Sequence, residues 1–99
     1  MDLGKVVGTV VSTQKNSKLE GYKILVVEAV SVEGIPQKSH MIALDNVGAG
    51  VGEIVLVVKG SSARQAEGME SIPTDATVVG IIDAVELDGK DVYKKHQNA

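Results

Sequence analysis

The stretch DNVGAGVGEIVLVVKGSSAR, residues 45–64, carries the densest glycine spacing in the chain and ends in a Gly-Ser-Ser-Ala-Arg run. In a dinucleotide-binding site the glycines stand between a strand and a helix, whose N-terminus meets the pyrophosphate. Here GAGVG leads into EIVLVV, an apolar run rich in β-branched residues that is typical of a strand. We therefore interpret the glycines as a turn that needs positive φ, or as a surface where two backbones approach closely.

Similar apolar runs on both sides of this stretch predict further strands. The predicted strands cover residues 3–13, 22–32, 39–45, 53–59 and 76–87, followed by a sixth, edge-like strand at 90–95. The Asp88-Gly89 pair before the sixth strand is typical of a tight hairpin. After the fourth strand, SSARQAEGM predicts a helix of at most two turns, capped by Ser61 or Ser62 and ended before Pro73.

Five main strands with one short helix between the fourth and the fifth predict an all-β fold. We expect a small, closed or nearly closed antiparallel barrel of the OB type, with a C-terminal hairpin. The chain has seventeen valines and only two aromatic residues, so its core must consist of branched aliphatic side chains. Glycines inside the strands, at Gly4, Gly8 and Gly80, suit bends or a close approach of backbones.

Length and composition narrow the class of protein. A chain of 99 residues fits a single domain over residues 1–99, with a core modest enough for neighbouring subunits to add to it. The absence of cysteine and of a basic, apolar leader predicts a soluble intracellular protein. The apolar runs are far below the ~20 residues that span a bilayer, so no membrane is expected. A net charge of −3 and scarce aromatics predict no nucleic-acid partner.

No catalytic, cofactor or metal site is predicted. Ser61 or Ser62 would need a histidine, yet the chain has only His40, expected at the surface or rim, and His96 in the tail. It has no Gly-x-Ser-x-Gly elbow either, so an enzyme that uses one of these serines stays an alternative with no visible site. The acidic residues near predicted strand ends lack the spacing of a calcium or zinc site, and we interpret them as solvated: Asp45, Glu53, Asp75 and Asp83.

Several segments in order resemble one known family. They are LGKVVGTVVSTQK, LEGYKILVVE, DNVGAGVGEIVLVVKGSSARQA and VVGIIDAVE, and they cover most of the chain. This set is similar to the EutN/CcmL family, the vertex proteins of bacterial microcompartment shells. Residues 86–99 are the least typical part and look like the longer ends of the ethanolamine-type branch.

The resemblance implies a β-barrel subunit that forms a homopentamer and caps the vertices of a polyhedral shell in the bacterial cytoplasm, beside hexameric shell proteins. A hexagonal lattice closes only at fivefold points, so the implied function is curvature and closure with no chemical step. The enclosed pathway would be a catabolic metabolosome, with a carboxysome as the lesser variant. An OB-like module that binds a small ligand or an oligonucleotide is the alternative from another class.

The resemblance also implies which residues act in the ring. Small residues would let subunits approach closely, while hydroxyl and guanidinium groups would bind carbonyls or carboxylates across the seam. We expect these residues at the subunit interface or along the axial opening, and the sequence leaves open which: Gly48, Ala49, Gly50, Glu53, Ser61, Ser62 and Arg64.

Overall fold

A computed structural model of the chain describes residues 1–12, 17–66, 69 and 74–95. The expectations for Pro73 and His96 lie outside these residues. The elements, in chain order, are β1 (Asp2–Val10), a 3₁₀ helix (Ser17–Leu19), β2 (Ile24–Val30), β3 (Pro36–Asp45), β4 (Ile54–Lys59), a second 3₁₀ helix (Gly60–Arg64), β5 (Ala76–Ile81), β6 (Ala84–Leu87) and β7 (Lys90–Lys94).

Five strands close into a barrel in the order β1-β2-β3-β5-β4, and β6 and β7 form a separate two-stranded sheet. The predicted all-β, five-stranded OB-like barrel with a C-terminal hairpin is thus confirmed. The prediction that all the barrel strands pair antiparallel is wrong. Strands β3 and β5 run parallel, with Leu44 paired with Thr77 and Asp45 with Val78. The long connection between these two strands brings β5 back to the barrel in the same direction as β3.

Three predicted boundaries need correction. The predicted strand at 76–87 divides at residues 82–83, where the chain leaves the barrel to begin the hairpin. The third strand begins earlier than predicted, with Pro36 as its first residue, a position where a missing N–H is tolerated. The predicted helix is a 3₁₀ helix that starts at Gly60, so Ser61 and Ser62 lie inside it and neither is its cap.

The barrel interior is filled by aliphatic side chains from alternate strand positions, since successive residues of a strand point to opposite faces. The fully buried core includes Val6, Leu25, Val27, Ala49, Val55, Val57 and Val78. A second, smaller cluster lies outside the barrel wall. It consists of the buried side chains of Leu44 and Met69, against which the partly buried Leu19, Tyr22 and Ile24 pack. The valine-rich composition therefore supplies a core without aromatic rings.

Two local predictions from glycine are confirmed by backbone geometry. A Cβ at Gly4 would collide with Cγ1 of Val27 across the β1–β2 pair, so this glycine permits close packing of two strands. Asp88 and Gly89 have φ of 53° and 78°, the left-handed values that a two-residue hairpin turn requires. In the described segments, the helices are all too short and too polar to cross a bilayer.

Candidate functional site

Residues 46–52, which we call the glycine turn, connect β3 to β4 and are organised by the carboxylate of Asp45. Its Oδ1 accepts hydrogen bonds from the backbone N–H groups of Val47 (3.1 Å), Gly48 (3.0 Å) and Ala49 (3.1 Å). Asp45 is only 8% exposed, so its interpretation as a solvated strand end is wrong. A buried carboxylate that accepts several N–H groups holds this turn in one conformation.

The glycine turn is also tied to two other strands. Nζ of Lys23, just before β2, donates to the carbonyl oxygen of Ala49 at 3.0 Å. The Gly52 N–H donates to the carbonyl oxygen of Val6 in β1 at 2.8 Å. These bonds fix the turn against β1 and against the residue that precedes β2.

Glu53 closes the turn and links it to the C-terminal hairpin. Its Oε1 accepts a hydrogen bond from the Gly50 N–H at 2.6 Å, and its Oε2 pairs with Nζ of Lys95 at 2.6 Å. Lys95 directly follows β7, and its N–H donates to the carbonyl oxygen of Asp83 at 2.8 Å. Glu53 therefore clamps the end of the hairpin against the glycine turn, and it is not a free carboxylate at a strand end.

The ion pair shifts the pKa of both groups in the directions that keep them charged. The hydrogen bond from Lys95, followed by that from the Gly50 N–H, lowers the pKa of the Glu53 carboxyl below its ordinary value of 4.5. The hydrogen bond to Glu53 raises the pKa of the Lys95 ammonium above its ordinary value of 10.5. The clamp is therefore fully charged at neutral pH.

The positions of the turn hold small residues for different physical reasons. Gly48 and Gly52 have φ of 79° and 96°, which side chains other than glycine adopt only with strain. Ala49 is fully buried and plugs the barrel core, so its size is explained within the chain. At Gly50 a Cβ would lie 3.5 Å from Oε1 of Glu53, an ordinary contact, so the single chain does not require glycine there.

The second segment, the Gly60–Arg64 helix, packs against β5. The Gly60 N–H donates to the carbonyl oxygen of Asp75 at 2.8 Å. Ala63 is fully buried, and its carbonyl oxygen accepts a hydrogen bond from Oγ1 of Thr77 at 2.9 Å. These contacts seat the helix on the beginning of β5.

The structure describes the side chain of only one of the three predicted site residues in this helix. Ser61 is exposed, whereas the side chains of Ser62 and Arg64 lie outside the described part of the structure. The Asn46 N–H donates to the carbonyl oxygen of Val78 at 3.2 Å, next to the residue that holds the helix. The start of the glycine turn and the Gly60–Arg64 helix thus meet on neighbouring residues of β5.

The described polar side chains at these two segments hold the backbone in place. His40 is exposed on β3, as predicted. Among the side chains that the structure describes, every buried polar atom has a hydrogen-bond partner. Sequence reasoning missed the anchoring roles of Asp45 and Glu53, because their partners are backbone N–H groups and, for Glu53, a lysine 42 residues away.

The comparison with known families decides the classification. The family described as "Ethanolamine utilisation protein EutN/carboxysome" matches residues 1–83. This chain belongs to the EutN/CcmL family. The family match ends one residue before β6 begins, so the C-terminal hairpin lies beyond it.

Relatives of the EutN/CcmL family match the chain closely in sequence. The bacterial microcompartment shell vertex protein GrpN of Rhodospirillum rubrum is 56% identical over 86 residues, which are 87% of this chain and 97% of that protein. The carboxysome shell vertex protein CcmL of Gloeobacter violaceus is 45% identical over 95 residues, 96% of this chain and 95% of that protein. EutN of Escherichia coli K12, also a shell vertex protein, is 43% identical over 96% of this chain and 100% of its own.

Solved structures of two of these relatives share the fold. The CcmL structure from Gloeobacter violaceus superposes with a TM-score of 0.89 and covers 96% of this chain and 98% of its own. The structure of GrpN from Rhodospirillum rubrum, described as a pentameric microcompartment shell protein, superposes with a TM-score of 0.77 and covers 88% of this chain and 98% of its own. The CcmL structure therefore covers more of this chain than the GrpN structure does.

We predict that Asp45→Ala destabilises the protein by about 2 kcal/mol, because the buried Ala49 N–H and the part-buried N–H groups of Val47 and Gly48 lose their acceptor. Asp45→Asn keeps an oxygen at the same place and should lose less. Asp91→Ala is the control, since Asp91 makes only an exposed pair with Lys94 and such pairs contribute under about 1 kcal/mol. Urea unfolding of the four proteins measures the differences, and equal effects at positions 45 and 91 would contradict the anchoring role.

We predict that Glu53→Gln lowers the melting temperature at neutral pH and increases hydrogen exchange at the Lys95 amide. A carboxyl with a lowered pKa contributes stability above its ordinary pKa and loses it as the pH falls through the lowered value. The difference in melting temperature from the unsubstituted protein should thus disappear in acid. It should also shrink at high pH, as the pH rises through the raised pKa of Lys95.

Lys94→Gln is the matched control for this clamp, because Lys94 is the neighbouring lysine and its ion pair is exposed. It should leave exchange at Lys95 nearly unchanged. A pH-independent difference for Glu53→Gln would show that the charge pair does not hold the hairpin.

Proposed function

We propose that this chain is the vertex subunit of a bacterial microcompartment shell, a structural protein that assembles into a pentamer and closes a polyhedral shell. The observation that carries the proposal is the match to GrpN at 56% identity, together with a GrpN structure described as pentameric. The full-length matches to CcmL and EutN, both named as shell vertex proteins, support the same role.

The geometry of the glycine turn suits a contact between rigid subunits. A ring needs contacts between two different faces of each subunit, and a preorganised surface loses little conformational entropy on association. We assign Gly48 and Gly50 of the turn, the adjacent Glu53, and Ser61, Ser62 and Arg64 of the helix to the subunit interface or the axial opening. Ala49 acts indirectly, because its buried side chain sets the position of the turn.

The partners in the shell are hexameric proteins that form its flat facets, since a hexagonal lattice needs fivefold points to close. The role involves no chemical step, consistent with relatives that are named for shell architecture. The enclosed pathway stays a prediction, a catabolic metabolosome with a carboxysome as the lesser variant, since the identities to CcmL and EutN are similar at 45% and 43%.

We predict that the purified protein is a cyclic pentamer of the 10.3-kDa chain. Native mass spectrometry at micromolar concentration tests this, and a monomer would overturn the proposal. A hexamer would keep the family and remove the vertex mechanism.

Closure of the shell is tested by coexpression of this chain with hexameric shell proteins from the same genome. Electron microscopy should show closed polyhedra when this chain is present, and sheets, tubes or open shells when it is omitted. Single-stranded DNA at low salt is the probe for the alternative oligonucleotide-binding function, and tight binding would favour that function.

We further predict that Gly50→Val weakens the ring more than it weakens the subunit. Gly50→Ala is the matched variant, because a Cβ fits at 3.5 Å from Oε1 of Glu53 within the chain. Circular dichroism should remain β-rich for both, while sedimentation should show smaller species for valine. A Gly50→Val pentamer with unchanged thermal stability would remove Gly50 from the interface.

A further inference from the structure

The outer wall of the barrel changes abruptly in polarity along β1, β2 and β3. One outward row across these strands is polar, with Lys5 opposite Glu28 and Glu28 opposite His40. The adjacent outward row consists of Gly8, Val26 and Ile42, which are also paired in register. An antiparallel sheet that faces water normally carries polar residues at such outward positions.

This apolar row is exposed in the single chain, and the apolar surface extends past the row along β1. Ile42 is 53% exposed, and Val10, the next outward residue of β1, is 38% exposed. A groove of about 450 Å³ borders Ile42 and Ile24, and a second of about 310 Å³ borders Ile24 and Val10. We call the surface formed by Gly8, Val10, Val26 and Ile42 the β2 face.

A second apolar row lies on the other side of the barrel, across β1, β4 and β5. Leu3 pairs with Leu56, and Leu56 pairs with Gly80. Their neighbours Val55 and Val57 point into the core, so the side chain of Leu56 points outward. We call the surface formed by Leu3, Leu56 and Gly80 the β4 face.

Each face contains a glycine next to a β-bulge of its strand pair, at a position that leaves space for a Cβ. A Cβ at Gly8 would lie 3.8 Å from Cβ of Val26, and a Cβ at Gly80 would lie 3.6 Å from Cβ of Leu56. Both distances are ordinary contacts, and neither glycine has positive φ. Glycine in a strand interior marks a bulge or a close approach by another backbone, and the missing side chain at one end of each apolar row leaves that face open to such an approach. Gly4 differs, because its neighbour Val27 excludes a Cβ from inside the chain.

We infer that the β2 face of one subunit docks on the β4 face of a second copy of this chain, forming the repeating contact of the ring. This contact rests on the pentamer proposed above. A cyclic ring needs two different complementary faces on every subunit. The two faces meet that need, because they are centred on β2 and β4, which lie on opposite sides of β1 in the closed barrel. Both are apolar, and each has a glycine that lets the other approach.

The test blocks each face with a lysine at an outward position, which leaves the core unchanged. Ile42→Lys blocks the β2 face and Gly80→Lys blocks the β4 face. Each variant should be largely monomeric at a concentration where the unsubstituted protein is a ring, since burying an unpaired charge weakens an interface by about tenfold or more. Val32→Lys is the control, because Val32 is similarly exposed, at 43%, in the turn between β2 and β3 and outside both faces.

Mixing the two blocked variants gives the decisive result. A subunit with a blocked β2 face still offers its β4 face, and the other variant still offers its β2 face. The mixture should therefore form a dimer with one chain of each kind, which native mass spectrometry resolves by mass and sedimentation follows over a range of concentrations. Either variant alone should form no such dimer.

The possible results distinguish a wrong assignment of the two faces from a wrong prediction of the pentamer. A monomeric unsubstituted protein would overturn the pentamer. A pentameric unsubstituted protein with both blocked variants still pentameric would overturn only the assigned faces, as would a mixture that stays monomeric at every concentration. Val10→Lys and Leu3→Lys serve as second blocking variants if circular dichroism shows that one of the first pair does not fold.

Discussion

The closure of the barrel at Asp45 is the constraint on which the rest of the structure depends. The parallel seam between β3 and β5 consists of two paired residues, Leu44 with Thr77 and Asp45 with Val78. The chain must then reverse sharply, and the Asp45 carboxylate supplies the acceptors that a turn outside regular secondary structure lacks. The same turn inserts Ala49 into the core, so closure of the sheet and filling of its interior depend on one residue.

From this seam, a chain of hydrogen bonds extends through the glycine turn to the C-terminal hairpin. The glycine turn continues to Glu53, which fixes the C-terminal hairpin through Lys95. Such cross-links between distant segments leave the subunit as a single stiff block. A shell vertex needs this property, because a flexible wedge would not impose one curvature on the facets around it. The hairpin lies beyond the family match at residues 1–83, while CcmL and EutN each match 96% of the chain.

The glycines show how one residue type meets different demands. Gly4 permits close packing inside the barrel, and Gly48 and Gly52 permit backbone conformations with positive φ. Gly8, Gly50 and Gly80 have space for a Cβ within the chain. Only the position of each glycine in the fold separates these groups, since all of them have the same sequence signature.

The sequence by itself determined the strands, the closed five-stranded barrel, the Asp-Gly hairpin and the family, because alternating β-branched residues and turn residues act locally. Tertiary structure alone decided the parallel β3–β5 seam, the division of the strand at 76–87, and the partners of Asp45 and Glu53. The reason is physical: strand direction and carboxylate burial depend on segments that are distant along the chain and meet only when the barrel closes. A carboxylate that anchors backbone N–H groups has the same letter in the sequence as one that faces water, and only the fold distinguishes them.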